Sequence, residues 1–545
     1  MSGYDVIVIG GGVNGTGTAR DCAGRGLKTL LVEKNDFGSG TSGASTSMIH
    51  GGLRYLRTDV KTTKLSCLDS GYIQKIAPHL LWRIPFLLPV FGSGLKAKVY
   101  TELVETYLEA YDHFSVRLKN GRRHTRLDPS EVYRLEPGLA GGIHAALTFD
   151  EWGIYAHRLC VANALSAAES GAEVRNHTEV VALEWGNAEG IAVKLRDRIQ
   201  NTTLSVLTKI VVNAAGPWSP RVAALARAEV KLRPGKGIHL ISDRRVSDIA
   251  IVATAVDGRQ IFVLPFGNCS MIGTTDDDYY GDIDFLVANE DEVEYLLQGI
   301  EKVFPTIRQY RWTHTTVGVR PTLFEWGKNE DVLYREHAIF DHSGEGAPGL
   351  FSIAGGKLAS YRLMSEEMTD IVAARFENKN RCRTHIDPLP GAEAEVDLNV
   401  ISRKYQLPLF TILKLYHRYG CRIEEILKET ESHLAWKRVI CCCEPILEAE
   451  IRYVIRKEWV RDLGDLSRRT RLGLGSCQGM DCAVPAAAIL GEEFSLTAQE
   501  IQTMIQTFFQ ERWRSRAPIL RGRELVQEEI FRHLLSQLDG ELQRC

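Results

Sequence analysis

Asp5-Val6-Ile7-Val8-Ile9-Gly10-Gly11-Gly12-Val13-Asn14-Gly15 lies almost at the start of the chain. Asp5 to Ile9 is a continuous β-rich run, as expected for a strand buried on both faces. A helical stretch follows Gly15 to about Ala23 and is ended by Gly24 and Gly26. Lys28-Thr29-Leu30-Leu31-Val32 then predicts a second strand, which completes a βαβ unit, and Glu33 ends it, 18 residues after Gly15. Each position has a task at a dinucleotide. Gly10 makes the tight turn, Gly12 admits a pyrophosphate to the backbone, and Gly15 allows close helix–strand packing. The helix N-terminus faces the phosphates and Glu33 accepts from ribose hydroxyls.

Outward from this unit the chain has 545 residues, 44% hydrophobic and 25% charged, which excludes a dominantly disordered, collagenous or coiled-coil state. That length suits three or four domains of about 150 residues. The 66 Lys and Arg against 69 Asp and Glu give a net charge of −3, so no general nucleic-acid binding is expected. The N-terminus shows neither a basic segment nor a long apolar core, so no signal peptide is predicted. No window holds 18 uncharged apolar residues, so no transmembrane helix is predicted either. Twelve cysteines in such a context do not point to a disulfide framework. Strand and helix patterns alternate to about Arg375. Asn378 to Val396 is polar, holds two prolines and reads as a linker, and the pattern after Asn399 is mostly helical.

Two later segments separate FAD from NAD. Ile210-Val211-Val212-Asn213-Ala214-Ala215-Gly216 is a strand ending in small residues that let a second backbone segment close over a nucleotide. Leu350 to Lys357 is a strand, the pair Gly355-Gly356 and a helix start, whose N-terminus suits the negative charge of a reduced flavin. Three nucleotide-facing elements so widely spread suit a long, extended FAD.

Ser42 to Leu56 (SGASTSMIHGGLRYL), Asn213 to Trp218 (NAAGPW), Ile272 to Asp276 (IGTTD), Gly318 to Pro321 (GVRP) and Gly355 to Arg362 (GGKLASYR) resemble the FAD-dependent glycerol-3-phosphate dehydrogenase family. From Cys441 onward the chain looks like the catalytic subunit of the anaerobic type. The resemblance implies an α/β fold: a Rossmann-like FAD-binding domain with an interleaved mixed-sheet substrate domain, followed by an all-helical C-terminal region. FAD-binding parts are expected at about 1–80, 140–230 and 345–377, and substrate-binding parts at about 81–139 and 231–344. A linker at 378–397, a helical cap at 398–436, a cluster module at 437–490 and a helical tail at 491–545 complete the division. Ser45, Ala215, Gly216, Gly355, Gly356 and Lys357 join Gly10, Gly12, Gly15 and Glu33 as implied cofactor contacts.

The implied substrate is sn-glycerol 3-phosphate, a secondary alcohol carrying a phosphate dianion. The family's pocket cations match Arg54, Arg320, Arg335 and Lys357; Arg offers phosphate a planar fork and Lys a point charge. Tyr55 and Thr274 are candidate hydroxyl partners. A proton acceptor working near neutral pH favours histidine. His50, in Ile49-His50-Gly51-Gly52, is the expected base, and His239 is its competitor. A related hydroxy-acid or amino-acid dehydrogenase would need a carboxylate clamp and gain little from four cations.

Cys441 and Cys443 form C-x-C, and after 33 residues Cys477 and Cys482 form C-x4-C. Four thiolates suit a [2Fe-2S] cluster or a structural zinc, and the C-x2-C spacing of zinc knuckles is absent. The arrangement resembles the bacterioferritin-associated-ferredoxin-like [2Fe-2S] module, with Cys442 expected as a bystander pointing into the core. A cluster passes electrons singly. That favours delivery to a quinone or partner subunit over delivery to oxygen, as in a glycerol-3-phosphate oxidase. The resemblance further implies a cytoplasmic, peripheral location at the membrane. Trp82 to Phe91, with Lys96 and Lys98, is a candidate membrane contact or a buried segment.

Overall fold

The computed structural model describes residues 3–57, 59–186, 190–327 and 337–541, without the side chains of Arg54 and 535–541. Among these residues two large sheets share the N-terminal two-thirds. The first has eight strands. Gly3–Ile9 lies parallel between Thr29–Val32 and Thr203–Asn213, and Leu350–Gly355 extends the parallel order beyond Thr203–Asn213. These strands are Val-, Ile- and Leu-rich because both faces are covered. On one face pack the helices Val13–Gly24, Ala156–Glu169 and Tyr361–Ala374, with Val6, Val8, Leu31 and Val212 fully buried beneath them. A meander of Thr178–Trp185 and Ile191–Asp197 completes the sheet antiparallel to Thr203–Asn213.

The second sheet has nine strands, with Leu232–Ser242 paired to both Cys269–Gly273 and Trp312–Leu323. Leu81–Phe91 lies inside it, antiparallel to Ile143–Ile154 and parallel to Ala250–Thr254. Trp82 to Phe91 is therefore a sheet strand, and its apolar character reflects packing inside the protein rather than a membrane contact. On the next helix, Gly94–Lys119, Leu95, Val99, Tyr100 and Leu103 are exposed. Ile143–Ile154 belongs to this second sheet although it falls in the stretch from 140 expected to serve the nucleotide.

The polar segment after Asn378 is held against the body: Arg20 Nη2 donates to Asp387 O at 2.6 Å, Leu389 N donates to Ile76 O at 2.8 Å, and Leu389 is buried. Beyond it, eight helices among the described residues enclose a separate apolar core around Ile412, Leu447, Val454, Leu466 and Leu490. The region is not wholly helical, because Val439–Cys441 and Ile446–Leu447 form a short hairpin. Cys441 ends the first strand of that hairpin and Cys443 lies in its turn. No helix among the described residues is long and apolar enough to cross a membrane.

Candidate functional site

The first strand ends at Ile9 and the first helix starts at Val13, so the glycine-rich turn occupies the sheet's C-terminal edge. A Cβ at Gly15 would lie 1.9 Å from Gly10 O, so only glycine permits this helix–strand contact. Glu33 Oε2 accepts from Gly11 N at 2.5 Å and Oε1 from Asn35 N at 2.8 Å. Burial pushes the Glu33 carboxyl up, against the pull of those two N–H donors. Ala214 N donates to Ile9 O at 2.8 Å, bringing Ala215 and Gly216 to the same edge. A cleft of about 680 Å³ runs along these residues from Glu33 past Gly12 to Ser45 and Lys357. Asn14, absent from the sequence expectations, also lines it, with a buried Oδ1 that lacks a hydrogen-bond partner among the described residues. The expected helix start after Gly356 is a short 3-10 turn at Leu358–Ser360, and the α-helix proper begins at Tyr361.

A second cavity of about 940 Å³ meets this cleft at Ser45, Gly318, Gly355, Gly356 and Lys357. His50, Tyr55, Thr274 and Arg320 line it, so the structure brings together most of the expected pocket residues. Arg320 Nη1 donates to Asp276 Oδ1 at 2.7 Å and Nη2 to Thr274 Oγ1 at 3.0 Å, which fixes the plane of its fork. Lys357 Nζ stands 3.6 Å from the Tyr55 ring centroid. Arg335 lies outside the described residues, as does the side chain of Arg54.

His50 Nδ1 accepts from Gly52 N at 3.1 Å. The loop carrying it is anchored by residues without any motif to reveal them. Glu151 Oε2 accepts from Gly51 N at 3.1 Å and from Lys119 Nζ at 2.5 Å, and Tyr111 OH donates to Oε1 at 2.6 Å. His239 is buried between hydroxyls, with Nε2 3.0 Å from Thr46 Oγ1 and Nδ1 3.2 Å from Thr316 Oγ1. Burial, with Arg320 nearby, pulls its pKa down to about 3, so the ring is neutral.

The FAD dependent oxidoreductase family matches residues 5–362. The chain belongs to this family. A further match, the C-terminal domain of alpha-glycerophosphate oxidase, covers residues 382–501. This FAD dependent oxidoreductase is 32% identical to a subunit of the anaerobic glycerol-3-phosphate dehydrogenase of Escherichia coli (strain K12), over 98% of this chain and 97% of that one. It is 36% identical to the glycerol-3-phosphate dehydrogenase of Synechocystis sp., covering 86% and 88% of the two chains. The solved glycerol-3-phosphate dehydrogenase from Bacillus halodurans, complexed with FAD, superposes with a TM-score of 0.77 at 26% identity, covering 95% and 96%. The Gly15 contact, the Glu33 carboxylate and the orphaned Asn14 oxygen fit a bound FAD along the 680 Å³ cleft.

In the oxidoreductase's C-terminal region the four expected cysteines converge. Cys443 Sγ lies 3.8 Å from Cys477 Sγ, and Cys482 stands near enough to Cys441 and Cys477 to shift both thiols. A Cβ at Gly475 would lie 2.2 Å from the Cys443 Cβ, so glycine there lets the two loops meet. The neighbouring Cys482 thiol pulls the Cys477 thiol toward its ionised form. Cys442 corrects an expectation: it is exposed to solvent rather than turned into the core.

Proposed function

We propose that the protein oxidises sn-glycerol 3-phosphate to dihydroxyacetone phosphate and passes the electrons singly to a quinone or an electron-accepting partner subunit. The observation that carries the substrate is the fixed fork of Arg320, in a cavity that meets the FAD cleft at Gly355 to Lys357. FAD supplies the hydride acceptor when bound. Arg320 attracts the substrate phosphate by its positive charge, and Lys357 adds a second. Asp276 and Thr274 keep Arg320 from turning away.

His50 takes the hydroxyl proton. Its Nδ1 must exchange the Gly52 N–H for that proton, or the ring must turn. His239 would be a weak base with a pKa near 3, so it serves as a neutral hydrogen-bonding partner that orders Thr46 and Thr316.

Cys441, Cys443, Cys477 and Cys482 would hold a [2Fe-2S] cluster, which supplies one-electron transfer. The convergence of these four sulfurs, with Cys442 turned outward, supports that reading. The exposed apolar face of Gly94–Lys119, beside Lys96 and Lys98, supports peripheral docking at the cytoplasmic membrane. The test is anaerobic addition of sn-glycerol 3-phosphate to FAD-loaded protein. The flavin band is expected to bleach, glycerol is expected to leave it unchanged, and no bleaching by either overturns the assignment.

A further inference from the structure

Where the C-terminal helices meet the body, a third pocket of about 250 Å³ lies between the backbone at Gly43 and Ser47 and the helices Leu463–Thr470 and Ala498–Arg516. Arg158, Arg418, Arg468, Arg471 and Arg512 all line it. Four have carboxylate partners. Arg158 pairs with Glu458, and Arg418 holds Glu450 through two bonds of 2.7 and 2.8 Å. The Asp36 carboxylate bonded to Arg468 is shared with Arg469, and the Glu444 carboxylate bonded to Arg471 lies 3.6 Å from Lys414. Arg512 has no carboxylate partner among the described residues. Its Nη2 reaches only Ser467 Oγ, at 3.4 Å, and its Nε is buried without a hydrogen-bond partner.

We infer that this pocket binds a small tetrahedral oxyanion, inorganic phosphate or the phosphate group of a phosphomonoester, with Arg512 as its principal ligand. Arg512 is half-buried with its Nε enclosed; such a group without a carboxylate bonded to it is costly, and a planar fork matches phosphate oxygens. Burial pulls Arg512 down to about 10, the direction an unneutralised cation takes. Arg471 is preorganised beside it, with its guanidinium carbon 4.9 Å from the Phe266 ring centroid. The exposed Glu511 carboxylate stands at the rim, so selectivity for an anion rests on the arginines further in. The anion would tie the helix Ala498–Arg516 and the module helix Leu463–Thr470 to the loop at 43–47, which borders both larger cavities.

The test uses full-length, FAD-loaded Arg320→Met protein, so that phosphate held in the substrate cavity does not contribute. Equilibrium dialysis with labelled orthophosphate is expected to show one saturable site. Adding Arg512→Met is expected to weaken it about tenfold to a hundredfold, the scale of a lost charge-assisted bond. Displacement by sulfate but not by glycerol 3-phosphate assigns an inorganic anion, and displacement by glycerol 3-phosphate assigns a phosphomonoester. No saturable site, unchanged affinity after Arg512→Met, or displacement by neither competitor overturns the inference. Hydrogen exchange on the Arg320→Met protein keeps the test open if the double variant fails to fold. Phosphate is expected to slow exchange in 498–516, and an unchanged rate there overturns the proposal.

Discussion

Asp36 and Arg469 stand 433 residues apart and form a fully buried bidentate ion pair, Oδ2 to Nη1 and Oδ1 to Nη2, both at 2.7 Å. Asp36 lies three residues beyond Glu33 and lines the FAD cleft. Arg469 belongs to the helix Leu463–Thr470, which leads into the loop of Cys477. The two proposed cofactor regions therefore meet at one carboxylate. Arg468 also donates to it, at 2.5 Å, and to Asp465 at 2.7 Å, so Asp36 bridges two guanidinium groups.

Asp36→Asn is expected to cost about 3–5 kcal/mol, because it leaves the buried Arg469 without its counter-charge, while Arg468 keeps Asp465. Calorimetry is the check, and the single thermal transition expected for the wild type should split or broaden as the C-terminal region loosens. Pairing Asp36→Asn with Arg469→Met should recover part of the loss. A wild-type transition in Asp36→Asn would show that the pair does not hold the regions together.

Arg320→Ala is expected to weaken glycerol 3-phosphate binding about tenfold to a hundredfold while FAD stays bound. Asp276 would lose its guanidinium partner, but it is half-buried and water can reach it. Steady-state kinetics and flavin absorbance read the two effects separately. An unchanged KM would remove Arg320 from the phosphate site.

His50→Asn is expected to slow anaerobic flavin reduction about 10²–10⁴-fold without loss of FAD. His239→Asn should perturb binding more than the proton-transfer step, because its ring is neutral and hydrogen-bonded to Thr46 and Thr316. Stopped-flow bleaching distinguishes them, and the reverse ranking would make His239 the proton acceptor.

Stability should fall as pH drops below about 6.5. His79, His157, His239 and His314 all have pKa values pulled down to about 3 by burial, with nearby arginines adding to it. The unfolded chain binds a proton at each of these positions that the folded chain refuses. Their stabilisation is thus fully present above pH 6.5 and is lost between there and about 3, at about 1.4 kcal/mol per pH unit for each fully refused proton. His177 opposes the trend: burial lowers it, but Asp465 raises it further, so its contribution grows as pH falls. Thermal melts from pH 7.5 to 5 check the sign, and a flat profile would contradict the burial of these neutral rings.

The βαβ unit was legible because its decisive residues, Gly10 to Glu33, are local and each answers to backbone geometry. Arg320 and Lys357 were legible through family motifs that recur in order. The support of His50 was not, because Lys119, Tyr111 and Glu151 meet only when Gly94–Lys119 folds over Ile143–Ile154. Trp82 to Phe91 was ambiguous for a different reason. A strand covered by protein and a segment lying on lipid are both apolar, and only its pairing in the sheet separates them. The pairing of the junction arginines was not legible, because Asp36, Glu444 and Glu458 reach Arg468, Arg471 and Arg158 only in the folded chain.

Cys477→Ser is expected to abolish an iron–sulfur signal while leaving FAD bound and reducible by substrate. The cysteines pack in a core of their own, apart from the strands that line the FAD cleft. Cys477 lies 3.8 Å from Cys443 and beside Cys482, so its loss removes a ligand from the centre of the set. Cys442→Ser is the control, because that thiol faces solvent and should keep the cluster intact. Turnover with a quinone should fall in Cys477→Ser if electrons leave through the cluster, while single-turnover flavin reduction should not. Iron and zinc analysis, with electron paramagnetic resonance after dithionite reduction, reads the site directly. Stoichiometric zinc without iron would leave the C-terminal region a structural module, and loss of the signal in Cys442→Ser but not Cys441→Ser would exchange those two ligands.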